Sequence, residues 1–241
     1  MDFPTEKRAI ITGASSGIGK ATALAFAKAG INLALVSRSQ DKLETVATTA
    51  RELGVDAKAY ILDLAKVDQV KAGIQAIAAD FGPIDILVNN AGMGYTGSLM
   101  DTSLSDWELV INLNLSSVFQ CIQGILPMMR DRQQGIIINI SSIAGKQVFP
   151  TWGAYCVSKF GLMALSQTLA AEERDRGIRV TTICLGSVNT PIWDTKTVKA
   201  DFDRTAMLTP ETAAQTILNA ALLNNSAVIE EITLMPSCGA L

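Results

Sequence analysis

Short apolar runs alternate along the chain with longer amphipathic stretches. Seven runs rich in β-branched and other apolar residues predict buried strands at Arg8–Thr12, Asn32–Ser37, Ala57–Leu62, Ile84–Val88, Gly135–Ile140, Arg179–Cys184 and Glu230–Leu234. Helical periodicity predicts helices at about 17–30, 41–53, 67–80, 104–131, 153–175 and 210–223. Ser39 and the pair Thr209-Pro210 are helix start signals.

Regular alternation of strands and helices predicts an α/β fold with a doubly wound, Rossmann-like parallel sheet of about seven strands and helices on both faces. The 241 residues contain no internal repeat and no Pro/Ser-rich linker, so residues 1–241 are expected to form a single domain. The stretch 187–209 is the one long connection without clear periodicity. Long connections in compact domains are often lids, and we expect this one to cover a substrate site.

Composition and charge limit the kinds of molecule that the protein is expected to bind. Hydrophobic residues make up 49% of the chain, which excludes disorder, and no apolar run approaches the eighteen residues needed to cross a bilayer. The N-terminus shows no export signal, so a cytoplasmic location is expected. With a net charge of −3 and no basic cluster, we expect a small-molecule partner and neither nucleic acid nor membrane.

The absence of histidine and the wide separation of the cysteines restrict the acid–base and metal chemistry that the chain can perform. The chain has no histidine, so proton transfer must fall to tyrosine, lysine or carboxylates. Its four cysteines are widely separated and lack a C-x-x-C spacing, which argues against disulfides and a zinc cluster. No metal site is expected.

A glycine-rich turn follows the first predicted strand and opens the first predicted helix. It consists of Gly13, Ala14, Ser15, Ser16, Gly17, Ile18 and Gly19. Glycines allow the backbone to approach a pyrophosphate, and a helix N-terminus presents unpaired amides to the anion. The turn predicts a dinucleotide phosphate site; a tight loop without a ligand is the alternative.

The end of the second predicted strand indicates which dinucleotide is bound. An acidic residue there favours a free ribose 2′-hydroxyl, but this strand ends in Ser37-Arg38. The Arg38 guanidinium can pair with a 2′-phosphate, so NADP(H) is favoured over NAD(H). Alternatively, Arg38 is a solvated loop charge.

Tyr155 and Lys159 stand four residues apart on a predicted helix, so they share one face. A lysine ammonium beside a phenol favours the phenolate, and we expect Lys159 to lower the pKa of Tyr155 from about 10 towards neutrality. The pair then predicts proton exchange. An ordinary amphipathic helix is the alternative.

Several motifs together resemble the single-domain branch of the short-chain dehydrogenase/reductase family over residues 8–192. They are T-G-x-x-x-G-x-G at 12–19, N-N-A-G at 89–92, and Asn114, Ser142, Tyr155 and Lys159, which match the family's catalytic set. The chain departs from the family at Leu185-Gly186, where Pro-Gly is usual. This substitution puts the local loop geometry in question.

The resemblance implies reversible NADPH-dependent reduction of a ketone or aldehyde. It implies that Tyr155 gives the proton, Lys159 also grips the nicotinamide ribose, Ser142 donates to the substrate oxygen, and Asn114 holds a relay water. Ser141 is a rival for the Ser142 role. Further implied cofactor contacts are Asp63 and Leu64 at the adenine, Asn90, and Val188 and Thr190 at the carboxamide. One feature opposes NADP(H): Ser16 stands where many NADP-preferring relatives place a basic residue.

The substrate and assembly expectations are less specific. Met93, Tyr95, Val148, Phe149, Trp152 and Trp193, with Ile192, are candidate pocket walls, although each alone is as typical of a core. Apolar walls suit a hydrophobic or aromatic carbonyl compound. The chain also resembles 3-oxoacyl-carrier-protein reductases, but Glu172 and Glu173 would oppose an acidic carrier. A third hypothesis is that the protein binds NADP(H) as a sensor or scaffold without catalysing a reaction. Relatives imply a homotetramer, with a dimer as the alternative.

Overall fold

The computed structural model describes residues 6–200 and 202–239. Seven parallel strands form one sheet in the order β3-β2-β1-β4-β5-β6-β7. The strands are β1 (Arg8–Thr12), β2 (Asn32–Ser37), β3 (Ala57–Ile61), β4 (Ile86–Asn89), β5 (Gly135–Ser142), β6 (Ile178–Leu185) and β7 (Glu231–Leu234). The predicted doubly wound parallel sheet is therefore confirmed.

Helices cover both faces of the sheet. They are α1 (Gly17–Lys28), α2 (Gln40–Glu52), α3 (Val67–Phe81), α4 (Leu104–Ile111), α5 (Ser117–Asp131), α6 (Gly153–Glu173) and α7 (Pro210–Ala221). Successive strand residues point to opposite faces, which is why the buried β1 residues Ile10 and Ile11 belong to different cores. Helices α1, α2 and α7 cover the face of Ile11, and α3, α5 and α6 cover the face of Ile10.

The predicted helix 104–131 is interrupted. Residues Asn112–Ser116 form a π-helical turn that joins α4 to α5. Leu104–Asp131 is nevertheless long and apolar enough to cross a membrane by length and composition: its most apolar window of 18 residues has a mean hydropathy of 1.5. This finding differs from the expectation that no such run exists. Half of the most apolar window is buried inside the protein, as in the core helix of a globular domain.

The sheet order places a crevice at the carboxyl ends of β1 and β4. The chain leaves β1 towards β2 on one side, whereas β4 lies on the other side of β1. Ligands of doubly wound sheets bind where the strand order reverses in this way.

Described residues of the stretch 187–209, which we call the lid after its predicted role, line the cavities at this crevice. The lid forms 3-10 turns at Pro191–Asp194 and Arg204–Ala206, and its two ends pair through a bridge between Val188 and Leu208. Short turns of this kind explain why the sequence shows no periodicity here.

Candidate active site

The glycine turn has the backbone geometry of an anion cradle. Gly13 and Gly17 adopt φ of +66° and +52°, which side chains other than glycine rarely tolerate. A Cβ on Gly19 would lie 2.3 Å from the Gly13 carbonyl oxygen. Ser16 caps α1 without a side-chain hydrogen bond, so the first amides of the helix remain available to an anion. The turn therefore fits a dinucleotide pyrophosphate.

Thr12 and Asn90 hold this turn against the end of β4. The Thr12 hydroxyl donates to the Val88 carbonyl at 3.3 Å and accepts from the backbone N–H groups of Asn90 and Ala91, both at 3.0 Å. The Asn90 side-chain amide donates to the Thr12 carbonyl at 2.9 Å. Asn90 thus supports the turn as well as lining the crevice.

A cleft of about 620 Å³ runs from the turn to the end of β2. Of the predicted cofactor residues, it is lined by Gly13, Ser15, Ser16, Gly17, Ile18, Ser37, Arg38, Asp63, Leu64, Asn90 and Thr190. Gly19 lies beneath the turn, where it is required by close packing. Ser39 and Lys42 also line the cleft but were missed, although their position at the start of α2 beside Arg38 was a usable signal.

The predicted catalytic residues come from three elements. Ser142 ends β5, Tyr155 and Lys159 share one face of α6, and Asn114 lies in the π-helical turn. Ser142, Tyr155 and Lys159 line a cavity of about 170 Å³, together with Val188. This cavity joins the cleft through lining residues that both share, among them Ile18, Asn90 and Thr190. A ligand in the cleft can therefore reach the three side chains.

The electrostatics of the pair differ from the sequence-based expectation. Burial raises the pKa of Tyr155, and a hydrogen bond with Ser142 opposes that rise. Burial lowers the pKa of Lys159 to about 8. The Lys159 Nζ lies 5.7 Å from the centre of the Tyr155 ring and donates to the Ile140 carbonyl at 3.0 Å. The expectation that Lys159 lowers the Tyr155 pKa towards neutrality is wrong in this geometry: burial raises that pKa, and Lys159 is not among the groups that shift it.

Ser142 is better placed than Ser141 to donate a hydrogen bond into the cavity. The Ser142 Oγ accepts from the Ala144 backbone N–H at 3.1 Å, which leaves its own proton free to point elsewhere. The Ser141 hydroxyl is buried and faces the Lys159 carbonyl at 3.5 Å. This geometry favours Ser142, as the spacing predicted.

Asn114 is buried, and both the oxygen and the nitrogen of its side-chain amide form hydrogen bonds within the protein. Its Oδ1 accepts from the Met93 N–H at 2.8 Å, and its Nδ2 donates to the Met93 carbonyl at 3.0 Å and to the Ser158 hydroxyl at 3.1 Å. Asn114 thus fixes the chain after β4 against α6. Its part in a water relay stays a prediction.

Four of the six predicted pocket walls line the catalytic cavity: Met93, Phe149, Trp152 and Trp193. Tyr95 and Val148 do not line it, which corrects the prediction. The Tyr95 hydroxyl turns away to donate to Asp106 at 3.3 Å, and Val148 is 73% exposed on a loop. Sequence reasoning missed Val198 and Phe202, because nothing in an aperiodic lid shows which residues face inwards.

Four of the five aromatic residues that line the cavity contact one another in series. Ring centres are 5.5 Å apart for Tyr155 and Trp152, 6.0 Å for Trp152 and Trp193, and 5.4 Å for Trp193 and Phe202, all edge to face. Among the described lining residues, Lys159 is the one with a formal charge. The cavity therefore suits a neutral, apolar or aromatic group.

The Leu185-Gly186 departure has a structural explanation. Strand β6 continues to Leu185, which pairs with Leu234, and the Gly186 N–H donates to the Leu234 carbonyl at 2.8 Å. A Cβ on Gly186 would lie 2.7 Å from Pro236 Cδ. Leu185 and Gly186 thus extend the pairing of β6 with β7, and the chain turns towards Val188 only after Gly186.

The comparisons with known proteins agree with this architecture. A family model described as short chain dehydrogenase matches residues 7–201. The 3-oxoacyl-[acyl-carrier-protein] reductase FabG of Staphylococcus epidermidis is 39% identical over 183 residues, which cover 76% of this chain and 75% of that protein. The sepiapterin reductase of Chlorobaculum tepidum is 34% identical over 238 residues, covering 95% and 96%.

A solved structure is similar over nearly the whole fold. An alcohol dehydrogenase from the archaeon Thermococcus sibiricus, complexed with 5-hydroxy-NADP, superimposes with a TM-score of 0.88 at 30% identity, covering 96% of this chain and 97% of that one. This structural similarity, the family match and the sequence relatives together assign the chain to one family. The protein is an oxidoreductase that belongs to the short-chain dehydrogenase/reductase family.

Proposed function

We propose that the protein catalyses the reversible NADPH-dependent reduction of a ketone or aldehyde to an alcohol. The observation that carries this proposal is the shared wall between the two cavities. Ser142 and Tyr155 line the catalytic cavity, and six residues that line this cavity also line the cleft with the pyrophosphate cradle. A carbonyl carbon and a dinucleotide can meet there.

The chain's own residues supply the proton and the polarisation. A bound nicotinamide supplies the hydride. Tyr155 donates its phenolic proton to the oxygen that gains charge, and its raised pKa keeps that proton in place at neutral pH. Ser142 donates a hydrogen bond to the same oxygen and so stabilises the developing alkoxide. Lys159, with a pKa of about 8, can change its charge near neutrality beside the Tyr155 ring.

The preference for NADP(H) rests on the end of β2. Arg38 is exposed and lines the cleft, where its guanidinium can pair with a 2′-phosphate. The similarity to a dehydrogenase solved with 5-hydroxy-NADP supports this choice. Replacing Arg38 with alanine is expected to weaken NADPH binding about tenfold or more and to leave NADH binding nearly unchanged. Equal losses for both dinucleotides would contradict the assignment.

A second candidate is 3-oxoacyl-(acyl-carrier-protein) reductase, which the identity to FabG favours. Docking of an acidic carrier needs unpaired cations near the end of α6. Here Arg130 and Arg176 share one partner, the buried Glu173, and Arg174 pairs with Glu230. With the exposed Glu172, three carboxylates match these three cations, so this surface has no excess positive charge. We therefore place this activity second.

The two activities are separated by one panel of substrates. Purified protein with NADPH is offered aromatic ketones, aliphatic ketones and 3-oxoacyl thioesters, each also tested with NADH, and loss of NADPH absorbance is followed. Faster turnover of aromatic ketones than of carrier-linked thioesters supports the proposal. The reverse order would favour the carrier-protein reductase, and binding without any turnover would favour a sensor or scaffold.

A further inference from the structure

The lid supplies a large share of the catalytic cavity although its described residues form only two short 3-10 turns. The residues that it contributes are Val188, Thr190, Ile192, Trp193, Val198 and Phe202. Walls built on irregular backbone keep their shape only where other contacts fix that backbone. The contacts that fix the lid are therefore part of the site.

At its base the lid is held by backbone hydrogen bonds between its two ends. The Asn189 N–H donates to the Leu208 carbonyl at 2.8 Å, and the Leu208 N–H donates to the Ser187 carbonyl at 2.9 Å. These bonds fix where the lid leaves and rejoins the domain. They do not reach the turn Pro191–Asp194, which provides the wall residues Ile192 and Trp193.

Arg204 joins the two halves of the lid above this base. Its Nε donates to Asn189 Oδ1 at 2.8 Å, its Nη1 to Asp194 Oδ1 at 2.9 Å, and its Nη2 to the Thr190 carbonyl at 3.1 Å. The Asn189 amide also faces the Arg204 carbonyl at 3.4 Å. All three guanidinium nitrogens are thus used on three residues of the opposite half.

Thr190 connects this network to the phosphate turn. A Cβ on Gly17 would lie 3.2 Å from the Thr190 Cβ and Cγ2, so the threonine side chain packs directly on the turn. Trp193, one residue short of Asp194, donates its indole N–H to the Val188 carbonyl at 2.8 Å. The segment that Arg204 holds is therefore the segment that faces both the cofactor cleft and the catalytic cavity.

We propose that Arg204 is a positioning residue that preforms the cofactor side of the lid, so that NADPH binds without first having to order it. Arg204, Asn189 and Asp194 do not line either cavity, so the effect passes through Thr190 and Trp193. A lysine has no fixed fork of donors and cannot hold three acceptors in this arrangement. The inference rests on the proposed NADPH-dependent function.

The test measures NADPH binding directly, by the change in NADPH fluorescence on titration with protein, for wild type, Arg204→Ala and Arg204→Lys. We expect Arg204→Ala to raise the Kd for NADPH about tenfold and Arg204→Lys to raise it almost as much. In turnover assays, KM for NADPH should rise in parallel while kcat changes less than about threefold, because saturating cofactor restores the closed lid.

Arg174→Ala is the matched control. Arg174 forms a single exposed ion pair with Glu230, away from the lid, and its loss should leave NADPH binding unchanged. Thermal unfolding checks folding, and Asn189→Ala provides a milder variant that removes one acceptor. Its effect and that of Arg204→Ala should be less than additive in the double variant, since both break the same contact.

Three results would overturn the inference, and they are distinguishable. If wild type binds NADPH and Arg204→Ala binds it within twofold, Arg204 does not position the lid. If wild type itself fails to bind NADPH, the proposed function falls and this inference falls with it. The network would also be contradicted if folded Asn189→Ala had the wild-type Kd for NADPH and the losses of binding free energy were additive in the double variant.

Discussion

At the scale of single residues, the sequence predicted where the catalytic side chains lie, but it did not predict their pKa values. The four-residue spacing of Tyr155 and Lys159 fixes their shared helix face, and the structure has them on one wall of the same cavity. The pKa of each depends on desolvation, which spacing cannot show. Burial opposes the charged form of both groups and is the largest cause of both pKa shifts.

The Ser142 hydrogen bond gives a testable pH dependence. Alcohol oxidation requires the Tyr155 phenolate, so its rate rises as pH increases through the pKa of that group. Because the Ser142 bond lowers this pKa, Ser142→Ala should move the rise to higher pH. It should also reduce kcat about a hundredfold or more through the lost donor. A pH–rate profile checks both, and a rise displaced to lower pH would contradict the assignment.

Lys159 is predicted to reduce stability at neutral pH. Lowering its pKa from 10.5 to about 8 corresponds to a cost of about 3 kcal/mol while the lysine is charged in both the folded and the unfolded state. That cost is complete below about pH 8 and disappears as pH rises towards 10.5, since the unfolded chain then also loses the proton. Stability should therefore rise with pH in this window.

The comparison of Lys159→Met with wild type isolates this effect. We expect the variant to be more stable by about 1–3 kcal/mol near pH 7, part of the gain being offset by the lost bond to Ile140, and the gap to narrow towards pH 10. Urea unfolding at both pH values measures it, with the exposed Lys71→Met as control. A gap that widens with pH would contradict the burial of a charged lysine.

At the scale of elements, the periodic segments were predictable and their boundaries were less so. Strand β5 runs to Ser142 and β6 to Leu185 because the two strands pair beyond their apolar runs, up to Ser142 opposite Leu185. The π-helical turn could not be derived from hydrophobic period alone, since one extra residue in a turn leaves the apolar pattern nearly intact.

Two helix caps offer a matched prediction at this scale. The Thr209 hydroxyl accepts from the Thr212 N–H at the start of α7, whereas Ser39 caps α2 without a side-chain hydrogen bond. Thr209→Ala should therefore lower the free energy of unfolding by about 1 kcal/mol, and Ser39→Ala by only a few tenths. Denaturant unfolding of both variants compares them, and equal losses would contradict the cap assignment.

At the scale of the whole molecule, topology explains why so much of the cleft was predictable. Parallel strands place their carboxyl ends at one edge, so residues that follow β1, β2, β3 and β4 had to converge there. The lid is different. Phe202, Val198 and Arg204 lie in a segment whose conformation depends on tertiary contacts, and no local pattern indicates that Phe202 faces the cavity or that Arg204 joins its two halves.

The outer faces of α5 and α6 give a prediction about assembly. Phe119, Val157 and Phe160 are each at least 40% exposed there, and apolar side chains that share one exposed face can mark an interface. We expect these faces to meet in a dimer or tetramer. Analytical ultracentrifugation should show oligomers for wild type and dissociation for Phe160→Glu. A monomeric wild type would contradict the prediction.

The central claim is that Tyr155 delivers the proton in a carbonyl reduction, and one measurement tests it most directly. Protein preloaded with NADPH is mixed with a ketone that the wild type reduces, and a single turnover is followed by NADPH absorbance for wild type and Tyr155→Phe. We expect the variant to bind NADPH with nearly unchanged affinity and to transfer hydride at least about a thousandfold more slowly, because the proton donor is gone. Hydride transfer at the wild-type rate in Tyr155→Phe would contradict the account.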